Sequence, residues 1–468
     1  MVLATVVAAL GYFVDIFDLL LFALVRKPSL QDLLKPQLDA LAAKLAPTMA
    51  SLPAAEATRL LILEQDKLLK EKGVLLDNIL QMTGLVLGGI LWGVLADRYG
   101  RLKMLFGSIL VYSLANILNA RIEDVPAAGS WFSWLHVLGL GTAYNQYAVL
   151  RFLAGFGLAG ELGAGITLVS ELVSNERRGF ATTMVAVVGI TGAVFAYFVT
   201  QFVDWRSAYL IGGLLGLALL FLRVGVVESG MFDRVKHAQG VGRGSFWMLL
   251  WPPARGLRYL CVILCAVPIW YCVGVLVKYC DVIGASMGLP ADQKPDPAKA
   301  VMLCYVGLAL GDLASGLLSQ VLRSRKRALL VFNGFTVIAL GAYFVLGAGS
   351  LTMLYLAIAL VGFASGYWAV FVTTAAEQFG TNLRATAATS APNFVRWSAA
   401  ASAILWNQAE HLLGPGEHTS WRAAALVGAI LVPIAILAVF GLRETFGTSL
   451  EFVEDADGST RSSAPQGT

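Results

Sequence analysis

Stretches of about 20 apolar residues, the length a helix needs to cross the hydrocarbon core of a bilayer, recur twelve times along the 468-residue chain. They fall at 2–25, 74–96, 103–120, 143–170, 180–203, 207–227, 258–281, 300–322, 328–348, 351–376, 386–406 and 421–442. No water-soluble core can hide them: 57% of the residues are hydrophobic and 14% charged, against about 25% charged in soluble domains. The apolar surface must face lipid, and the expected fold class is an all-α membrane protein with twelve transmembrane helices.

Short cytoplasmic loops of membrane proteins hold an excess of Lys and Arg. The loops after even-numbered spans hold Arg98, Arg101 and Lys103, then Arg177 and Arg178, then Arg234, Lys236, Arg243 and Arg255, then Arg323, Arg325, Lys326 and Arg327. Arg121 and Arg206 are the main bases on the other side. Both termini are therefore expected in the cytoplasm, with the chain a multi-pass protein of the cytoplasmic (inner) membrane. Met1 to Leu10 has neither the basic stretch nor the cleavage site of a signal peptide, so the opening apolar run counts as a span. With 34 basic and 30 acidic residues, a net +4, the chain shows no clustered basic stripe for nucleic acid. Cys261, Cys265, Cys272, Cys280 and Cys304 fall in or beside two apolar segments, where cysteine packs as a small hydrophobe; pairing of Cys280 with Cys304 is the alternative.

Residues 26–73, between the first two spans, break the run of short loops. Leu30, Leu33, Leu34, Leu38, Leu41 and Leu45 recur at helical spacing, followed by Glu64, Asp66, Lys67, Lys70, Glu71 and Lys72. Two amphipathic helices outside the membrane, broken near Pro47 and Pro53, are predicted. They would form an extracytoplasmic cap on the span ends or a docking place for a partner.

The two halves of the chain also rhyme. Glu171 to Arg178 after the fourth span resembles Glu377 to Arg384 after the tenth: each sets an acid at a helix end and a base about two turns later. Asp204-Trp205-Arg206 before span six matches Ser420-Trp421-Arg422 before span twelve, and Glu228-Ser229 matches Glu444-Thr445. Two pseudo-symmetric six-helix bundles are implied, residues 1–228 and 258–446, joined by a cytoplasmic linker at 229–257. A polar tail, 447–468, is expected to be disordered. Internal symmetry of this kind marks secondary transporters, with the substrate site between the halves near the midplane.

Between spans two and three stands Gly93-Val94-Leu95-Ala96-Asp97-Arg98-Tyr99-Gly100-Arg101-Leu102-Lys103. A tight reversal needs the glycines, and Asp97 at a helix end can hold neighbouring helix N-termini and arginines. This loop resembles the signature G-x-L-a-D-r-x-G-R of the major facilitator superfamily, and topology, repeat and acid-to-arginine motifs agree over nearly the whole chain. Leu102 departs from the basic residue usual there, and Gly316-Leu317-Leu318-Ser319-Gln320 is a worn second copy with Gln320 in the place of the acid. The absence of a polar tail before the first span is unusual for the family and suggests a trimmed or misassigned start. The resemblance implies a cytoplasmic gate formed by Gly93, Asp97, Arg98, Gly100, Arg101, Glu171, Arg178, Glu377 and Arg384; a solvated charge belt is the alternative.

Charges inside a span are costly and mark function unless they are paired. Asp15 and Asp18 share one face of span one, while Arg151 and Glu161 stand in span four among glycines that let backbones approach closely. Asp18 with Arg151 resembles the acid–base pair of sugar:proton symporters. Glu161 and the Asp-x-x-Asp of span one resemble phosphate:proton and metabolite:proton symporters. A desolvated carboxyl takes up a proton more readily and one beside an arginine gives it up, so these four residues are candidates for proton coupling or for a static buried network. In span eleven Asn393 and Arg396 follow Pro392, which frees backbone groups for binding, a setting for an anionic substrate, or for an arginine paired with an acid or with helix carbonyls. Trp270, Tyr271, Tyr367 and Trp368 are candidate pocket walls, with packing as the alternative. Lys278 and Asp281, at the end of span seven, are weaker candidates.

The expected function is secondary active transport of a small metabolite, an organic anion or sugar-like solute, by alternating access with proton symport, the protein working as a monomer in the lipid bilayer. A uniporter and a drug:proton antiporter are alternatives, the latter disfavoured because Gly189-Ile190-Thr191-Gly192-Ala193 lacks a Gly-Pro core. A non-transporting membrane sensor is a further one. His136, His237, His411 and His418 lie in loops or near span ends without metal-ligand spacing, so neither an enzyme nor a cofactor is expected.

Overall fold

The computed structural model describes residues 2–126, 132–173, 178–222, 243–290 and 293–462. Its first half runs through α1 (Val2–Leu33), α2 (Lys35–Met49), α3 (Ala54–Val74), a π-helical stretch Leu75–Gln81, α4 (Met82–Tyr99), α5 (Arg101–Asn119), α6 (Ala143–Leu158), α7 (Glu161–Leu172), α8 (Arg178–Phe202) and α9 (Trp205–Leu222). The second half runs through α10 (Phe246–Leu250), α11 (Pro253–Leu264), α12 (Val267–Tyr271), π-helical Cys272–Val277, α13 (Cys280–Met287), α14 (Pro297–Val321), α15 (Arg325–Leu346), α16 (Leu351–Ala364), α17 (Trp368–Glu377), α18 (Arg384–Leu413) and α19 (Thr419–Phe440).

Among the described residues eleven helical segments are long and apolar enough to cross a membrane. The twelfth expected span, 386–406, lies inside the 30-residue helix α18, where Arg384, Arg396 and Glu410 and a run of Ser and Thr dilute the apolar character. Helix α1 packs on α8, and α5 on α6 and α9; in the second half α14 and α15 pack on α16, and α15 on α19. The halves meet chiefly through α4 on α18 and α8 on α14.

Three spans are interrupted. The fourth breaks between α6 and α7, the seventh between α11 and α12, and the tenth between α16 and α17. At the first break, the Trp92 indole N–H donates to the Phe156 carbonyl at 2.7 Å, taking an acceptor that a continuous helix would use internally. Irregular backbone at such depth is tolerated where protein groups satisfy it, and the candidate site gathers at these breaks.

Over 26–73 helix α1 does not stop at 25 but runs through Pro28 to Leu33. Pro47 does not break α2, because it stands in the last turn and removes one amide bond without ending the helix; the turn falls at 50–53. Leu30, Leu34 and Leu69 pack with Tyr147, Trp205 and Tyr209, and Lys27 pairs with Asp66 at 3.4 Å.

The tail does not follow the expectation of disorder through 462. Strand β1 (Phe452–Glu454) pairs antiparallel with β2 (Thr460–Ser462), and Glu454, 2% exposed, forms ion pairs with Arg255 and with Arg258, the latter at 2.7 Å. One buried acid between two arginines anchors a segment whose Ser, Gly and Asp content reads as unstructured. Residues 463–468, and 229–242 of the linker, lie outside the described residues; the linker then forms α10 and the start of α11. All five cysteines are free and buried, so Cys280 and Cys304 do not pair.

Candidate functional site

The tight packing of α4 on α18 is set by Gly93, where a Cβ would lie 2.8 Å from the Thr386 Cα. One turn on, Asp97 is buried and accepts the backbone N–H groups of Ala385 and Thr386, at 3.1 and 2.8 Å, and the Thr386 hydroxyl at 2.7 Å. A carboxylate from one half thus caps the first turn of a helix from the other, where orphan N–H groups and the helix dipole favour negative charge. Arg101 pairs with Asp97 at 3.4 Å and donates to the Thr381 carbonyl at 3.0 Å. Gly100 ends α4 at φ +113°, a conformation that glycine adopts freely. Arg98 donates to the Gly244 carbonyl at 2.9 Å.

Glu377 and Arg384, expected in the gate, also make contacts within the second half. Glu377 accepts from Arg325 at 3.2 and 3.3 Å and from the Thr445 hydroxyl at 2.7 Å, and Arg384 donates to the Leu450 carbonyl at 2.7 Å. These bonds stay in the second half, because the chain after α19 folds back beneath α17 and α18. The side chains of Glu171 and Arg178 lie outside the described residues.

Deeper, a chain of polar contacts crosses between the halves. Asn393 donates to the Ala159 carbonyl, at the break in the fourth span, at 3.1 Å. Its Oδ1 accepts from Arg396 Nη1 at 3.0 Å, and Arg396 Nη2 reaches Asp15 Oδ2 at 3.3 Å. Asp15 and Arg396 are both buried, and among the described residues Asp15 Oδ1 and Arg396 Nε have no hydrogen-bond partner. Glu161, which opens α7, is buried within electrostatic range of Asp15.

A small internal space of about 20 Å³, room for about one water, adjoins Arg396. Its walls include Tyr12 and Ile16 of α1, Trp270 of α12, Tyr305 of α14, Trp368 of α17 and Arg396 of α18. The Trp368 ring lies 5.6 Å from the Arg396 guanidinium, and Trp270 meets Trp368 edge to face at 6.4 Å. The arrangement sets one cation and several aromatic faces around one small space, with the Asp15 carboxylate behind the cation.

Other expected residues are placed elsewhere. Tyr271 donates to the Ala424 carbonyl at 2.5 Å, and Tyr367 to the Cys265 carbonyl at 3.2 Å; both phenols are used up in packing the second half and neither lines the space. Among the described residues Asp18 and Arg151 form no direct ion pair. Arg151 donates to Asn116 at 2.6 Å and lies 4.3 Å from the Tyr209 ring, and both Asn116 and Arg151 lie within electrostatic range of Asp18. Tyr12, Tyr305 and Asp312 escaped the sequence expectation, although a lone carboxyl in an apolar span, as Asp312 is, is itself a signal.

Residues 78–404 match the family model of the Major Facilitator Superfamily. The 3-(3-hydroxy-phenyl)propionate transporter of Escherichia coli is 27% identical over 365 residues, covering 76% of this chain and 81% of that protein. The niacin transporter NiaP of Acinetobacter baylyi is 26% identical over 408 residues, covering 79% and 85%. Among solved structures, the proton:xylose symporter XylE bound to 6-bromo-6-deoxy-D-glucose aligns at a TM-score of 0.62 and 17% identity, covering 96% of this chain and 97% of that one, a likeness of fold. A family match over most of the chain, on a helical membrane fold with its motif loop bridging two halves, means that the protein belongs to the Major Facilitator Superfamily of transporters.

Proposed function

We propose that this protein carries a small carboxylate with an aromatic or cyclic body, together with a proton, across the cytoplasmic membrane by alternating access. The observation that carries the reading is the Asp15–Arg396 ion pair between the halves, whose arginine lines a small aromatic space. Two relatives whose names give such acids, hydroxyphenylpropionate and niacin, support the substrate class.

The coupling follows from charge balance. An entering carboxylate takes Arg396 from Asp15, and the Asp15 carboxylate, left in a dry site without its cation, takes a proton from the entry side. Substrate anion and proton then cross as a neutral pair. When the site opens to the other side, Asp15 releases its proton, returns to Arg396 and displaces the substrate. Asp97, capping α18 from the other half, is the latch that closes the cytoplasmic side in this conformation.

The test is uptake by proteoliposomes in lightly buffered medium, with protein-free vesicles correcting for passive entry of the acid form. Radiolabelled 3-hydroxybenzoate or nicotinate should enter with alkalinisation outside, and Asp15→Asn and Arg396→Ala should abolish both. Solute exchange without proton movement would make the protein a uniporter. Flux of sugars alone would overturn the substrate class, and no flux of any solute would favour a sensor.

A further inference from the structure

Asp312 lies in α14, fully buried, and the coupling scheme gives it no task. It faces the interruption of the tenth span, where α16 ends at Ala364 and α17 begins at Trp368. Gly311 and Gly366 meet backbone to backbone there: a Cβ on Gly366 would stand 2.5 Å from the Gly311 Cα. This approach lays the next residue, Asp312, against the first turn of α17, and its Oδ1 accepts the Ala369 N–H at 2.9 Å. A helix that starts inside a membrane has orphan N–H groups and no water to satisfy them. A carboxylate meets that need and suits the positive helix end. Among the described residues Asp312 Oδ2 has no hydrogen-bond partner.

The first residue of the helix so held is Trp368. Its ring packs on Trp270 at 6.4 Å and on Phe371 at 5.2 Å, and stands 5.6 Å from the Arg396 guanidinium. We propose that Asp312 is a positioning residue: by fixing the start of α17 it sets the Trp368 ring against Arg396 and so governs how tightly the ring of an aromatic carboxylate is held. The proposal rests on the functional reading above and concerns a residue outside its proton pathway.

Uptake kinetics of Asp312→Ala and Asp312→Asn in proteoliposomes, with benzoate and the non-aromatic cyclohexanecarboxylate as probes, test it. Losing an acceptor for a buried amide should raise the benzoate KM of Asp312→Ala about tenfold, with kcat changed much less and cyclohexanecarboxylate affected less than benzoate. Asp312→Asn, which keeps a carbonyl acceptor, should recover most of the loss and retain the wild-type pH dependence. An Asp312→Asn protein as defective as Asp312→Ala, with its pH dependence gone, would make Asp312 a proton carrier and overturn the proposal; so would equal losses for both probes. If wild-type protein moves no carboxylate, the functional reading fails by itself. Asp312 is then judged on hydrogen exchange across 364–377, expected to be faster in Asp312→Ala than in Asp312→Asn, and unchanged in both if Asp312 does not hold the helix.

Discussion

Asp15 and Arg396 stand 381 positions apart in the chain and meet at 3.3 Å across the boundary between its halves, both sealed from solvent. A buried pair of this kind is expensive to break, because the surviving charge keeps its desolvation cost and loses its counter-charge. Asp15→Asn and Arg396→Met should each destabilise the protein by about 3–5 kcal/mol, and the double variant should be more stable than either single one. Denaturation in detergent checks this through a double-mutant cycle. Additive losses would show that the two charges are not energetically coupled.

Asp97 gives its two oxygens to three donors on the first turn of α18, so Asp97→Ala removes three hydrogen bonds between α4 and α18. A hydrogen bond to a charged group contributes about 1.5–3 kcal/mol, enough for one such bond to move an open–closed equilibrium by tenfold or more. A cysteine placed at buried Thr389 should react with a soluble maleimide at least tenfold faster in Asp97→Ala, with Asp97→Asn intermediate. Gly93→Leu should act in the same direction by sterics, its Cβ meeting the Thr386 Cα at 2.8 Å. Unchanged labelling in both variants would remove Asp97 from the latch.

The spans, the motif loop and the in-membrane charges were legible because each leaves a local mark: an apolar run, a glycine-bounded acid, a lone ionisable residue. Partnership was not. Asp18 and Arg151 stand in spans one and four as an acid and a base that a family pattern joins, yet Arg151 bonds Asn116 of α5, and it is Asp15 that reaches Arg396. Which of two acids three residues apart meets a cation in the other half depends on helix rotation and on the approach of α4 to α18, neither of which has a spacing of its own. Tyr271 and Trp270 are neighbours in sequence, but one helical step turns the first towards Ala424 and the second towards the cavity. Composition misled at the tail, where one residue, Glu454, outweighs a run of small polar ones.

Glu454 also supports the loop between α17 and α18. Its backbone N–H donates to Asn382 Oδ1 at 3.0 Å, Asn382 Nδ2 donates to its carbonyl at 2.9 Å, and the Thr381 N–H donates to the Phe452 carbonyl at 2.8 Å. Thr381 in turn accepts from Arg101 of the motif loop. Glu454→Ala strands Arg255 and Arg258 and should cost about 3–5 kcal/mol, read as a lower Tm in detergent. Truncation after Leu450 should expose 378–383 to hydrogen exchange. Slow exchange there in the truncated protein would show that the hairpin is not what orders the loop.

Glu444, beyond the last span, gives a pH signature. Burial pushes its carboxyl up, but the Ser324 hydroxyl and the N–H groups of Arg325, Phe446 and Lys326 donate to it and hold it below the ordinary value of 4.5. A carboxylate whose folded value is depressed binds fewer protons folded than unfolded, so it stabilises the folded state above the unfolded value. That contribution is lost as pH falls through the folded value. Glu444→Gln should therefore melt below wild type at pH 7, with the gap narrowing as the pH is lowered from about 5. Thermal melts of both proteins across pH 3.5–7 check this, and a gap independent of pH would show that the side chain acts through packing alone.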